Sequence, residues 1–204
     1  MNAADAPLPP ALQGLIDKQA IRELVERYSR AVDRRDYELL ASLYTDDAVD
    51  EHIGNYCGPA PGFVAWLRAA LAGVDATTHH VHNVTIDIAG SRAEGEVYLT
   101  AYNRLRDEDG SFSELVQGLR YLDHYRQNAG VWRFARRTVV CDWAQHGPAF
   151  WDTSHPLIAG KRFGRSDAND ASYAVLQGTL FARSGPATST PRAAATVPVK
   201  GSPP

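Results

Sequence analysis

Four strand-like segments, at about 81–89, 94–106, 112–127 and 131–143, constrain this chain more than any other feature. Only Gly90-Ser91, Asp107-Glu108-Asp109-Gly110 and Asn128-Ala129-Gly130 part them. Separators this short favour antiparallel hairpins. Long strands in one sheet expose two faces, and the segments ahead of them supply only three helical patterns, too few to cover a flat sheet. Curling the sheet into a cone buries the apolar face around those helices and leaves an interior pocket. The pattern therefore predicts an α+β fold, with N-terminal helices packed in a curved, mainly antiparallel sheet that forms a conical barrel.

The helical patterns come first. Ile21, Leu24, Val25, Tyr28 and Val32 recur at amphipathic spacing, with Asp17 as the expected cap. Asp36 precedes a second pattern, Leu39, Leu40, Leu43 and Tyr44, which closes on an acidic turn, Thr45-Asp46-Asp47. Residues 48–58 read as a short strand, and Phe63, Trp66, Leu67 and Ala70 mark a third helix over 63–71. At 204 residues and 44% hydrophobic content, the chain has the core of one domain. Its expected limits are 12–145, behind a flexible arm at 1–11. A C-terminal extension at 146–183, with a helix near 173–181, and a disordered Ala/Pro/Ser/Thr tail at 184–204 follow.

A net charge of −3 and a pI near 6.1 argue against a surface that tracks nucleic-acid phosphates. Membrane spanning is not expected, since no apolar run reaches the length of a bilayer crossing. The start lacks the basic and apolar regions of a signal peptide, so a cytoplasmic protein is expected. Cys57 and Cys141 are the only cysteines, and they read as reduced and structural.

The chemistry concentrates at Thr77-Thr78-His79-His80-Val81-His82-Asn83, where three of seven histidines fall within four residues at the mouth of a strand. Imidazole is the side chain suited to moving protons near neutral pH. Alternation puts His79 and Val81 on one face and His80 and His82 on the other, so either His79 or His80 looks inward. No carboxylate stands at a diagnostic ligand spacing from these histidines, and no metal is expected.

The helix end Arg27-Tyr28-Ser29-Arg30-Ala31-Val32-Asp33-Arg34-Arg35-Asp36, the stretch Leu43 to Ala48, the Thr78-His79 step and Gly130 to Arg137 together resemble the SnoaL-like branch of the nuclear transport factor 2-like superfamily. The resemblance covers roughly 12–145. It includes scytalone dehydratase, bile-acid 7-alpha-dehydratase and hexachlorocyclohexane dehydrochlorinase, which are lyases that need no cofactor. It implies a catalytic dyad of Asp33 and His79, a helix tyrosine at Tyr28 and an arginine late in the last strand at Arg137. The second histidine of scytalone dehydratase would fall on Gly118, a departure from that enzyme's pattern.

On this resemblance Asp33 would orient His79 as the base, Tyr28 would donate to an oxygen, and Arg137 would hold developing negative charge. Each residue has a plainer role open to it, Tyr28 in the core and Asp33 as a helix-end cap. Arg137 shares a regular strand face with Ala135, Val139 and Cys141, and Arg136 shares one with Trp132 and Phe134; a bulge would exchange them. Asn103, His80 and Tyr44 are candidate substrate contacts, and Asn103 reads equally as solvent-facing. The run Lys161 to Arg165 is either a solvated loop or a clamp on an anionic substrate.

The implied function is a cofactor-independent lyase, a dehydratase or a retro-aldol or deformylating enzyme. Its substrate would be a small apolar or aromatic hydroxylated molecule, as in aromatic compound catabolism. An isomerase or polyketide cyclase is the alternative on the same scaffold. A noncatalytic binding protein or a subunit like the β chain of ring-hydroxylating dioxygenases is the third. Trp132, Phe134, Tyr121 and Tyr125 exceed what one small cone needs inside, which predicts a homo-oligomer, a dimer or trimer.

Overall fold

The computed structural model describes residues 8–52, 54–150 and 155–184. Helix α1 (Pro10–Asp33) starts well before the expected cap, because Pro10 occupies a first-turn position where no backbone N–H is needed. Asp17 is therefore inside the helix rather than at its start. It is buried there and accepts hydrogen bonds from Trp132 Nε1 at 2.8 Å and Gln127 Nε2 at 2.9 Å. Helix α2 (Tyr37–Ser42) is capped by Asp36, whose side chain accepts from the Leu39 N–H at 3.1 Å.

Strand β1 (Tyr44–His52) absorbs the stretch expected to be an acidic turn. Its ladder slips between Tyr44 and Val49, leaving Asp47 exposed, where Arg126 holds it at 2.9 Å. A short β2 (Tyr56–Pro59) and helix α3 (Ala60–Ala70) follow, and one 3-10 turn (Leu71–Gly73) leads into the long strands. These are β3 (Val74–Ala89), β4 (Arg92–Arg106), β5 (Phe112–Asn128) and β6 (Val131–Pro148). The sheet order is β2-β1-β6-β5-β4-β3, antiparallel except where β1 runs parallel to β6. The curved sheet stays open, with β2 and β3 as its edges.

The apolar stripe of α1 fills the concave face. Ile21, Val25 and Tyr28 pack with Val97, Leu99, Tyr121, Tyr125, Trp132 and Phe134, all nearly or fully buried. The four aromatics read as surplus for one copy thus belong to its own interior, which removes the reason given for assembly. Fully burying a side chain of this size is worth about 1.5–3 kcal/mol, so this cluster is the main source of stability.

A bulge places Arg137. Phe134 pairs with Tyr125 and Arg136 with His124, so Ala135 is the extra residue in the ladder. Regular alternation would separate Arg137 from Trp132 and Phe134; the bulge instead puts all three on the inner face and Arg136 outside. Beyond the sheet, the expected helix near 173–181 is broken into α4 (Ala171–Val175) and a 3-10 turn (Thr179–Phe181), because extended Leu176 and Gly178 interrupt it. This segment docks on α1: Asp170 pairs with Arg34 at 3.4 Å, and Arg30 lies over the rings of Tyr173 and Phe181. Residues 1–7 of the expected arm and 185–204 of the expected tail lie outside the described residues. No described helix is long and apolar enough to cross a membrane.

Candidate functional site

Asp33 is the last residue of α1, and His79 stands in the middle of edge strand β3, which begins at Val74 rather than at Val81. An edge strand has backbone donors facing away from its ladder, and here one meets the helix end. The His79 N–H donates to Asp33 Oδ2 at 3.0 Å while Nδ1 lies 2.6 Å from Asp33 Oδ1. A carboxylate accepts only, so the Nδ1 proton is held by Asp33, and in the neutral ring Nε2 is the nitrogen that carries the lone pair. Two contacts from one residue to the two oxygens of another fix both the carboxylate and the ring.

The pair opens on a cleft of about 730 Å³ between α1 and β3. Arg22, Glu26, Ser29 and Arg30 line it from the helix, Arg34 from the residue just after it, and His80, Val81 and Val84 from the strand. Their pattern was legible in part: Arg30 and Arg34 are four residues apart, and Arg30 precedes Asp33 by three. His80 and His82 are exposed on the opposite side of β3 from His79, and His82 Nε2 lies 2.9 Å from Thr100 Oγ1. Both still reach the lining of the cleft, beside a bulge between Val81 and Val84. Among the described residues no group of three or more His, Cys, Asp or Glu side chains is placed to hold a metal ion.

Tyr28, Tyr44 and Arg137 are gathered elsewhere, in the interior of the cone. Arg137 is fully buried and bidentate on Asp123, Nε to Oδ1 and Nη2 to Oδ2, each at 2.7 Å. Its guanidinium carbon lies 4.0 Å from the Tyr28 ring centre, 3.8 Å from that of Tyr121 and 4.2 Å from that of Phe134. Burial works against its charge, but Asp123 outweighs this and holds it firmly protonated. Burial likewise pushes the hydroxyls of Tyr28, Tyr44, Tyr121 and Tyr125 far up, and the buried carboxylates add to the effect. Asn103 is half-buried opposite Thr77 on β4 and does not line the cleft.

A second histidine–aspartate pair, not singled out from the sequence, joins this interior through its aspartate, with its histidine half-buried. Asp50, fully buried, accepts from the Tyr44 hydroxyl at 2.5 Å, and His52 Nδ1 lies 2.5 Å from its other oxygen. The signal was there, since residues two apart on a strand share a face. Arg136 is on the outer face, paired with Glu51 at 2.5 Å. Gly118, where a second histidine would fall, lies under the Trp143 indole, and a β-carbon there would run into that ring.

A family model for the SnoaL-like domain matches residues 13–138. An uncharacterized protein of Mycobacterium tuberculosis is 27% identical over 123 residues, 59% of this chain and 82% of the relative. Among solved structures, a type-2 hexachlorocyclohexane dehydrochlorinase (LinA) superposes with a TM-score of 0.63 at 20% identity, covering 70% of this chain and 96% of the other. A type-3 LinA from Novosphingobium barchaimii gives 0.57 at 22% identity, with the same coverages. A candidate scytalone dehydratase from Novosphingobium aromaticivorans gives 0.59 at 22% identity over 65% of this chain and 88% of the other. At these identities the structural likeness establishes the nuclear transport factor 2-like cone, and the match across more than half of its length makes this chain a member of the SnoaL-like domain family.

Proposed function

We propose that this chain is a cofactor-independent lyase in which His79, oriented by Asp33, removes a proton from a small hydroxylated substrate bound in the cleft between α1 and β3. The observation that carries the reading is the double contact between Asp33 and His79. It occupies Nδ1 and so leaves Nε2 as the ring nitrogen available for chemistry, on a histidine that lines the cleft. Abstraction next to a hydroxyl-bearing carbon leads to loss of water; abstraction from the hydroxyl itself leads to carbon–carbon cleavage. Both leave negative charge on the substrate, and Arg22, Arg30, Arg34 (already paired with Asp170) and the Ser29 hydroxyl are the cleft's candidates to hold it. Tyr28 and Arg137 then act from behind, as the packed and charged floor that supports the end of α1. That two structural neighbours are named as dehydrochlorinases and one as a candidate dehydratase supports elimination chemistry.

The test is turnover of a panel of small hydroxylated compounds followed by product mass spectrometry, with His79→Ala as the blank. Loss of water, or release of a one- or two-carbon fragment, by the wild-type chain alone supports the proposal. Products formed equally by His79→Ala would overturn it. A product of unchanged mass would favour the isomerase or cyclase reading, in which the same base begins a different path.

A further inference from the structure

A second cleft, of about 590 Å³, lies between the α3–β3 connection, the end of β4 and the 164–167 loop. Four guanidinium groups reach it, from Arg35, Arg68, Arg106 and Arg165. Its two carboxylates are already engaged. Asp75 bridges Arg104 at 2.7 Å and Arg106 at 3.4 Å, and Asp167 holds Arg165 at 2.6 Å. Arg35 and Arg68 pair with no carboxylate among the described residues.

The partners of these two are neutral. Arg35 donates to the carbonyl oxygens of Val32 and Val74 and to Thr77 Oγ1, at 2.8, 3.4 and 2.9 Å, and Arg68 lies over the Tyr37 ring at 4.3 Å. Arg35 sits at φ +55 in the turn after α1, a conformation costly for any residue but glycine, and its half-buried charge makes no direct ion pair, the Asp33 carboxylate acting on it only at longer range. Burial pulls its pKa below the ordinary arginine value. A partly desolvated charge without a directly bonded opposite partner carries a cost that an anion in the cleft would relieve.

We propose that this cleft is a binding site for a small phosphorylated molecule, with Arg35 and Arg68 as the cations that hold its phosphate. Two guanidinium groups without a directly paired carboxylate match a dianion better than a carboxylate, and their planar forks suit tetrahedral oxygens. The volume leaves room for an organic group beyond the phosphate. This site does not depend on the dyad, although Arg35 connects them: it follows Asp33 by two residues and holds Thr77, two residues before His79.

Titration calorimetry of the full chain with inorganic phosphate and pyrophosphate tests the proposal. Saturable one-to-one binding is expected, weakened at least about tenfold by Arg68→Ala, since a hydrogen bond to a charged group is worth about 1.5–3 kcal/mol. Arg126→Ala removes the same charge at the other end of the β4–β5 ladder and should leave the affinity unchanged. Arg68 is exposed, so its variant should fold; if its melting transition is lost, Arg165→Ala, from the exposed side of the cleft, carries the test. Three results would each overturn the proposal: no saturation up to about 10 mM, an equal loss in Arg68→Ala and Arg126→Ala, or acetate binding as tightly as phosphate.

Discussion

Two histidine–aspartate pairs in this molecule have nearly the same internal geometry, both histidines half-buried, and differ in what surrounds them. His79 Nδ1 is 2.6 Å from Asp33 at the wall of a cleft, and His52 Nδ1 is 2.5 Å from Asp50 over the aromatic core. The Asp33 carboxylate spends its second oxygen on the backbone of the residue it orients. The Asp50 carboxylate spends its second oxygen on the Tyr44 hydroxyl, and the His52 ring lies flat on Phe63 with centroids 4.7 Å apart. One pair lines the cleft; the other stacks its ring on Phe63 and ties its carboxylate to Tyr44, although the His52 side chain is 20% exposed and that of His79 only 11%. Proton-transfer geometry alone does not make a site, because a base also needs room for the group it deprotonates.

The largest effect that separates the pairs is on turnover. His79→Ala and Asp33→Asn should each lower kcat by about 10²–10⁴-fold, the usual worth of a positioned general base. Their double variant should lose little more than either single one, since residues acting as one unit cannot be lost twice. His52→Ala should keep most of the activity of whatever protein remains folded. Steady-state rates corrected for folded fraction check this, and a dead His52→Ala beside an active His79→Ala would exchange the roles of the two pairs.

The next effect is on stability and belongs to the interior. Removing one partner of a buried ion pair leaves an uncompensated charge, so Arg137→Met should cost about 3–5 kcal/mol in denaturant unfolding. Asp50→Asn should cost about 1–3 kcal/mol by disturbing the bonds to Tyr44 and His52. An Arg137→Met chain that unfolds like the wild type would mean that Arg137 belongs to the site and not to the core.

Alkaline titration sharpens the contrast further. Burial raises the hydroxyls of Tyr28, Tyr44, Tyr121 and Tyr125 above their ordinary value, so the folded state keeps protons that the unfolded state gives up. Their contribution is fully present below the unfolded tyrosine value of about 10, and it is lost as pH rises beyond that. Unfolding free energy should therefore fall steeply above that pH, with tyrosinate absorbance from these four rings appearing only as the chain unfolds. Tyr28→Phe should have the smallest effect, a modest loss of rate, because its hydroxyl does not face the cleft; a loss as large as that of His79→Ala would return Tyr28 to the chemistry.

The chain's order of helices and hairpins follows from its own residues. The stripe from Ile21 to Val32, the turn signals at Gly90, Gly110 and Gly130, and the alternation about His79 are local patterns, set by helical and strand periodicity and by backbone sterics. The closeness of Asp33 and His79 came from family resemblance, since no local rule brings residues 46 positions apart together. Tertiary structure alone decided the rest. The single extra residue at Ala135 turned Arg137 from an expected open face into the aromatic core, where Asp123 and three rings enclose it. The parallel pairing of β1 with β6 drew an expected turn into the sheet and put Asp50 against Tyr44 in the interior. A bulge shifts every later side chain to the other face, and a strand's partner is chosen by distant residues, so neither can be read from the segment that carries it.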